Sequence, residues 1–258
     1  MEFRCEQISK VYTTGNGGVA ALHDVTFCVA AEQFVCIVGP SGCGKTTLLK
    51  IVAGLVAPTS GTLEFAGAAR DDQPPVALVF QEHGLFPWMT VAENVAFGLE
   101  MRGVPRRERS ERARAFIEKV GLSSFAGSYP HQLSVGMRQR VGIVRAFVSN
   151  PRVLLMDEPF GSLDAQTRLV LQDELLRIWK DDRKVVLHVT HDIEEAVRLG
   201  DRVLVMTGRP GHIQEDIAIP LERPREASSK VAPQVAEIRW HIWKTLENDV
   251  RKGLGMPE

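Results

Sequence analysis

A short glycine-rich segment has the residue types and spacing of a phosphate-binding loop. It follows the pattern G-x-x-x-x-G-K-T and comprises Gly39, Pro40, Ser41, Gly42, Cys43, Gly44, Lys45 and Thr46. Glycines let successive backbone N–H groups turn toward phosphate oxygens, and a helix that starts at such a loop adds the partial positive charge of its N-terminus. In this pattern Lys45 reaches the β- and γ-phosphates, and the Thr46 hydroxyl binds Mg²⁺. The segment therefore predicts a nucleotide phosphate site.

Two adjacent carboxylates follow an apolar run further along the chain. The run Val153–Met156 has the length of a buried strand, and Asp157 and Glu158 come directly after it. The first carboxylate can hold Mg²⁺ through water, and the second can orient and deprotonate the water that attacks the γ-phosphate. Together with the phosphate loop, this pair favours hydrolysis of ATP over transfer of its phosphoryl group to a metabolite.

Predicted strands and helices alternate around these residues. The phosphate loop follows a strand, Phe34–Val38, and leads into a helix, Thr46–Ala53. Further strands are expected at 3–11, 20–29, 62–65, 76–80, 152–156, 185–189 and 202–206, and further helices at 106–119, 138–148, 165–179, 193–199 and 235–251. Such alternation is typical of a parallel sheet covered on both faces. A mostly helical stretch, 91–150, interrupts it, and we interpret its charged run at 106–119 as a solvated helix face.

Composition excludes several classes of protein. The 258 residues carry a net charge of -1, so no basic excess indicates nucleic acid as a partner. The apolar runs fall far short of the roughly 20 residues that span a bilayer, and the first ten residues lack the apolar stretch of a signal peptide. The four cysteines show no metal-ligand spacing, which favours a reduced cytosolic protein. Because Cys43 lies in the phosphate loop, we expect its alkylation to block ATP binding.

Several short segments, taken with these two motifs, resemble the ATP-binding subunits of ABC transporters over residues 3–221. Residues 133–137, LSVGM, resemble the family signature, and residues 162–164, SLD, resemble its D-loop. Gln81, His191 and Tyr12 stand where the family has its Q-loop glutamine, its switch histidine and an adenine-stacking aromatic residue. Taken singly, each of these three residues also fits an ordinary loop, helix-capping or strand position. Their order and spacing carry the resemblance.

The resemblance implies an α/β fold of the P-loop NTPase type. We expect a RecA-like core with an N-terminal antiparallel β portion and an inserted α-helical subdomain. Residues 1–85 and 151–220 would form the nucleotide-binding core, and residues 86–150 the helical signature subdomain. Residues 221–258 would form a C-terminal helical extension.

The resemblance also implies that two copies of the chain pair head to tail and sandwich two ATP molecules. The residues expected to act in cis are Lys45, Thr46, Thr47, Gln81, Asp157, Glu158 and His191, and those in trans are Ser134, Gly136 and Asp164. The expected catalytic residues are Glu158, His191, Gln81 and Lys45, and the expected Mg²⁺ ligands are Thr46, Gln81 and Asp157. Tyr12 would stack on adenine. The γ-phosphate would hold the two copies closed, and its loss would release them.

Longer segments are similar to the nitrate, sulfonate and taurine branch of bacterial importers. These are residues 79–91, 159–168 and 205–211, with a C-terminal helix around 238–243. In that branch two permease subunits and a periplasmic substrate-binding protein complete the transporter, so we expect a peripheral subunit at the cytoplasmic face of the inner membrane. Residues 85–89 would receive a permease; alternatively, Phe86 and Trp88 fill the core of a hinge. The partner proteins would choose the substrate.

One residue of the signature departs from the family pattern. Val135 stands where the family has glycine. Glycine tolerates positive φ and close backbone approach, whereas a β-branched residue is strained there, so we expect Val135 to weaken ATP-dependent closure and slow turnover. Two other interpretations stay open: a soluble ABC ATPase associated with DNA or the ribosome, and a nucleotide sensor impaired by Val135. The sequence has neither the sustained heptads nor the second cassette that favour the former.

Overall fold

Strands and helices alternate along most of the chain in the computed structural model, which describes residues 2–14, 17–66, 73–80, 84–223, 225 and 232–253. The chain forms two units. The first comprises Met1–Ala68 and Val185–Glu258, and the second comprises Ala69–Lys184. The expected division into a core, a signature subdomain and a C-terminal extension stays a prediction.

The elements agree closely with those predicted. The strands are β1 (Phe3–Thr14), β2 (Gly17–Val29), β3 (Phe34–Val38), β4 (Ser60–Phe65), β5 (Val76–Val79), β6 (Val153–Asp157), β7 (Val185–Thr190), β8 (Arg202–Thr207) and β9 (His212–Ala218). The helices are α1 (Lys45–Val52), α2 (Val91–Met101), α3 (Arg106–Lys119), α4 (Val135–Val148), α5 (Ala165–Asp181), α6 (Ile193–Leu199) and α7 (Ala232–Gly253). The strand β9 was not expected. Its half-buried and exposed residues alternate, and it lacks the continuous apolar run of the buried strands.

An antiparallel sheet at the N-terminus of the first unit supports Tyr12. Its strand order is β2-β1-β4, and Phe3 of β1 pairs with Val29 on one side and Phe65 on the other. The Phe3 ring meets the Phe27 ring edge to face at 5.9 Å between centroids. This buried aromatic contact holds the start of β1, while Tyr12 lies near its other end.

A parallel arrangement in the first unit carries the phosphate loop. The strand β3 pairs in parallel with β7 and with β8, and β9 adds antiparallel to β8. All five residues of β3 are buried, and α6 packs against it. Such continuous burial is what a parallel strand covered on both faces requires. The carboxyl ends of β3, β7 and β8 therefore lie side by side at one edge.

In the second unit, β5 and β6 pair in parallel, and most of the remaining chain is helical. Val79 pairs with Met156, which brings the carboxyl ends of both strands to one edge. Helix α3 buries only two residues, Ala113 and Ile117, and its charged side chains form exposed ion pairs along the helix. The solvated face predicted for this run is confirmed.

Helix α7 packs against the rest of the first unit. Its buried residues Ile242 and Leu246 lie four positions apart on one face, and the helix contacts α6 and β8. Among the residues described, none of the helices combines the length and apolar character needed to cross a bilayer.

Candidate functional site

The phosphate loop adopts a backbone that only glycine tolerates at two of its positions. Gly42 and Gly44 have φ angles of +79° and +99°, in the left-handed region that side chains disfavour. A Cβ atom at Gly44 would also lie 2.7 Å from the carbonyl oxygen of Ala21, so neighbouring backbone closes the space. With these φ angles, backbone N–H groups of the loop can turn inward, which fits a cradle for phosphate oxygens.

The thiol of Cys43 lies inside the wall of the loop. The residue is 1% exposed, and burial raises the pKa of its thiol above the ordinary value. A Cβ atom at Gly39 would lie 2.9 Å from the Cys43 sulfur and 2.2 Å from the backbone oxygen of Met206. A buried thiol of raised pKa is poorly reactive, so we expect alkylation of Cys43 to be slow in the folded chain. That a group attached to Cys43 would block ATP binding stays a prediction.

The ammonium of Lys45 is buried against the loop that precedes it. Lys45 is the first residue of α1 and is 5% exposed. Its Nζ donates hydrogen bonds to the carbonyl oxygens of Gly39 at 2.7 Å and Pro40 at 3.0 Å. These bonds compensate a charge taken out of water and hold it beside the cradle. The Lys45 ammonium therefore lies against the loop, and its contact with a phosphate stays a prediction.

The start of α1 offers backbone donors to an anion. Gly44 is the N-cap residue of α1. Because glycine has no side chain, it makes no capping hydrogen bond to the N–H groups of the first turn. Thr46 is exposed and Thr47 is half-buried in this first turn. Leu48, Leu49, Ile51 and Val52 anchor the opposite face of the helix in the core.

His191 lies at the same strand edge as the phosphate loop. Val38 pairs with Thr190, so Gly39 and His191 are the next residues along two neighbouring parallel strands. His191 is exposed. Its neighbour Asp192 caps α6 by accepting hydrogen bonds from two backbone N–H groups, at 2.8 and 3.2 Å. The strand end and the capped helix thus fix the backbone on both sides of His191.

A buried pair that the sequence did not reveal spans the same segment. His188 in β7 and Glu195 in α6 are both buried, and His188 Nε2 lies 2.6 Å from Glu195 Oε1. The pair links the strand before His191 to the helix after it. Polar groups buried together in this way hold their elements in register, because separating them would leave each one desolvated without its partner.

Tyr12 presents an accessible ring in the first unit. It pairs with Val19 across β1 and β2 and is 37% exposed. The Nζ atom of Lys10 lies 5.2 Å from the ring centroid. A ring accessible on one side, and backed by a cation, can stack on a nucleobase.

Asp157 and Glu158 lie at the carboxyl end of β6 in the second unit. Asp157 is the last residue of the strand, and both residues are half-buried. Glu158 has a φ of +45°, which is rare for a residue with a side chain. Such strain costs on the order of 1–3 kcal/mol and often occurs at functional sites. No sequence pattern indicated this conformation.

Three further predicted residues meet at the starts of α4 and α5. Ser134 is the N-cap of α4 and accepts a hydrogen bond from the Met137 N–H at 3.3 Å. Asp164 is the N-cap of α5, and hydrogen bonds from the hydroxyl and the N–H of Thr167 hold its pKa below the ordinary value. A Cβ atom at Gly136 would lie 3.1 Å from the methyl carbon of Thr167. The structure thus brings Ser134, Gly136 and Asp164 together, and Asp164 stays ionised at neutral pH.

Val135 does not have the backbone conformation that its expected effect requires. It is the first residue of α4, which begins three residues earlier than predicted, and its φ is not positive. The strain expected for a β-branched residue is therefore wrong. Val135 is 39% exposed. Any effect on closure would have to arise from contact of this side chain with another molecule.

The segment 84–89 combines a packed ring with an exposed one. The Phe86 ring lies 4.5 Å from that of Phe97, while Trp88 is 70% exposed. The buried amide of Asn94 holds the segment by accepting a hydrogen bond from the Phe86 N–H and donating to the carbonyl oxygens of Phe86 and Met89. Phe86 thus serves the local core, and Trp88 is available to a partner. Gln81, the predicted glutamine, lies outside the described residues.

Comparison with known proteins places the chain among ATP-binding cassettes. The family model described as ABC transporter matches residues 22–161. An uncharacterized ABC transporter ATP-binding protein of Methanocaldococcus jannaschii is 46% identical over 98% of this chain and 94% of its own length. The nitrate import ATP-binding protein of Synechocystis is 43% identical over 90% of this chain and 89% of its own length. The taurine import ATP-binding protein of Rhizobium johnstonii is 46% identical over 89% of this chain and 90% of its own.

A solved structure shares the fold. It is a dimeric ATP-binding cassette in a post-hydrolysis state, bound to ADP and Pi. It superposes with a TM-score of 0.74 at 32% identity, covering 85% of this chain and 100% of that one. The predicted P-loop NTPase fold is confirmed.

The unstrained helix start at Val135 leads to a prediction that opposes the strain hypothesis. Replacing Val135 with Gly adds a flexible residue to the first turn of α4, so we expect the free energy of unfolding to fall by about 0.5–1 kcal/mol. Urea unfolding followed by circular dichroism measures it. The matched variant Val135→Ala should be at least as stable as the wild type, because alanine favours helix. A Val135→Gly chain more stable than the wild type would show that Val135 is strained after all.

Proposed function

The chain belongs to the ABC transporter family, whose ATP-binding members hydrolyse ATP to drive transport, and we propose that it powers the import of a small anion. Its relatives include import ATP-binding proteins named for nitrate and taurine, and a bicarbonate transport ATP-binding protein that is 44% identical over 86% of this chain. The observation that carries the ATPase part of the proposal is the buried Lys45 within a glycine cradle. The proposed cargo is nitrate, a sulfonate, taurine or a similar small organic or inorganic anion.

The chemistry of the proposed site residues fits ATP and Mg²⁺. The left-handed φ angles at Gly42 and Gly44 allow a loop whose backbone N–H groups turn toward phosphate oxygens. The proposed Mg²⁺ ligands, Thr46, Gln81 and Asp157, are all oxygen donors, which this ion prefers. Within the described residues, no group of three or more His, Cys, Asp or Glu side chains could hold a metal by itself. Phosphate oxygens and water would therefore complete the coordination.

We assign the hydrolytic steps to residues of the same chain. Glu158 at the end of β6 would accept a proton from the attacking water, and Lys45 would neutralise charge on the β- and γ-phosphates. His191 at the end of β7 would contact the γ-phosphate, and Gln81 would orient the water and the metal. Bound Mg²⁺ would neutralise charge that develops on the phosphate oxygens. Tyr12 would hold the adenine ring.

The proposed assembly is a head-to-tail pair of chains beneath two permease subunits. Ser134, Gly136 and Asp164 would meet the nucleotide held by the partner copy. The helix starts capped by Ser134 and Asp164 would supply favourable dipoles for its phosphates. The similarity to dimeric solved cassettes supports the pair. A periplasmic substrate-binding protein would deliver the anion, and the chain would work at the cytoplasmic face of the membrane. Nucleic acid has no place in this assembly.

The role of Glu158 can be tested on the isolated chain. Glu158→Gln keeps the shape of the side chain but removes the base, so we expect steady-state ATP hydrolysis to fall by about 100-fold or more. The dissociation constant for ATP should stay within about threefold, since Glu158 acts on water rather than on the phosphates. Phosphate release and equilibrium binding measure the two quantities. The control Glu64→Gln removes an exposed carboxylate of β4 and should hydrolyse ATP at the wild-type rate. Comparable hydrolysis by Glu158→Gln would show that another group is the base.

The importer assignment can be tested with the complete transporter. In proteoliposomes that contain the chain with its permease, we expect a binding protein loaded with nitrate, taurine or bicarbonate to stimulate ATP hydrolysis. Trp88→Ala should weaken this stimulation, because Trp88 would lie against the permease. Trp240→Ala provides the matched control, since this tryptophan is also exposed, at 60%, but belongs to α7. Stimulation by DNA or ribosomes instead, or equal loss in both variants, would contradict the assignment.

A further inference from the structure

The turn between β8 and β9 lies directly against the phosphate loop. Arg209 Nη2 donates a hydrogen bond to the carbonyl oxygen of Ser41 at 2.8 Å. A Cβ atom at Gly42 would lie 2.6 Å from the same nitrogen. At Gly211, a Cβ atom would lie only 1.7 Å from the carbonyl oxygen of Cys43. This turn, residues 208–211, therefore touches the loop at three successive residues.

The C-terminal helix holds this turn in place. The backbone N–H of Gly208 donates a hydrogen bond to Asp249 Oδ2 at 2.5 Å. Helix α7 is itself anchored: Ile242 and Leu246 are buried, and Thr245 donates a hydrogen bond to Glu215 of β9 at 3.0 Å. A continuous set of contacts thus runs from α7 through the turn to the phosphate loop.

A cavity of about 270 Å³ separates the phosphate loop from the end of α7. Its lining residues are Pro40, Ser41, Cys43, Gly208, Arg209, Asp249 and Lys252. Side chains do not fill the space behind the outer part of the loop, so dispersion contacts support it less than they support a packed segment. The hydrogen bond from Arg209 consequently takes a larger share in fixing the position of Ser41.

The bond to Ser41 has a consequence for phosphate binding. In a trans peptide the C=O and the following N–H point in opposite directions. Fixing the Ser41 carbonyl oxygen toward Arg209 therefore directs the N–H of Gly42 away from Arg209. A charged donor on the carbonyl also polarises that peptide, which strengthens its N–H as a donor.

We propose that Arg209 is a positioning residue of the phosphate loop, and that α7, acting through Asp249 and Gly208, sets the affinity of the chain for ATP. The inference rests on the proposed nucleotide site and adds a regulatory role for the C-terminal helix. A partner protein that drew the end of α7 away from Gly208 would release the turn and weaken nucleotide binding. Arg209 itself contacts the loop backbone and takes no part in hydrolysis.

The test separates affinity from turnover in the full chain. For Arg209→Ala and Asp249→Ala we expect the dissociation constant and the KM for ATP to rise about fivefold to tenfold, because each variant loses one charge-assisted hydrogen bond. The kcat at saturating ATP should stay within about twofold. Arg209→Lys and Asp249→Asn keep a donor and an acceptor, and should restore most of the affinity. The double alanine variant should lose less than the product of the two single effects, because both act on one set of contacts.

Matched controls lie on the same helix. Glu247→Gln and Arg251→Ala remove charges that pair with one another on the exposed side of α7, and both variants should bind ATP like the wild type. Thermal unfolding identifies any variant that does not fold. If Arg209→Ala is such a variant, the ATP affinities of Asp249→Ala and Asp249→Asn test the proposal instead.

Two results would overturn the inference. One is wild-type affinity in Arg209→Ala and Asp249→Ala. The other is a fall in kcat with an unchanged dissociation constant. Failure of the wild-type chain to bind ATP would instead refute the proposed site, so the two failures are distinguishable.

Discussion

The burial of one positive charge imposes the main constraint on this fold. Lys45 can lie inside the chain because polar groups compensate its charge, among them the carbonyl oxygens of Gly39 and Pro40, which accept its hydrogen bonds at 2.7 and 3.0 Å. The loop that carries these carbonyl groups takes left-handed φ angles at Gly42 and Gly44, which glycine adopts readily. The loop in turn needs a rigid base, which the fully buried strand β3 supplies. A local motif thus determines what its surroundings must be.

In each unit, the candidate site residues lie at the ends of parallel strands or at the starts of helices. In the first unit these are Lys45 and His191, next to β3 and β7. In the second they are Asp157 and Glu158 after β6, with Ser134 and the carboxylate of Asp164 capping helices. Backbone N–H groups and carboxyl strand ends are exposed at these points, so phosphate and metal can be bound without burying unpaired backbone groups.

Local patterns predicted what depends on neighbours in sequence, and missed what depends on distant contacts. Apolar runs and glycine spacing predicted the segment from β3 through the phosphate loop to α1, and the strand before Asp157. The strain assigned to Val135 was wrong, because the N-cap at Ser134 starts the helix before that residue. The positive φ of Glu158 has no signature in composition. The contact of Arg209 with Ser41 joins residues 168 positions apart, and only folding reveals it.

Equilibrium binding of ATP with Mg²⁺ to the purified chain, measured by titration calorimetry, tests whether the buried Lys45 binds the phosphates of a nucleotide. We expect saturable binding to the wild type and a loss of affinity of at least about 100-fold in Lys45→Ala, since two or more charge-assisted hydrogen bonds from the ammonium to the phosphates would be removed. Lys50→Ala, an exposed lysine of the same helix, should bind like the wild type. Equal affinity in Lys45→Ala and the wild type would show that Lys45 does not bind the nucleotide.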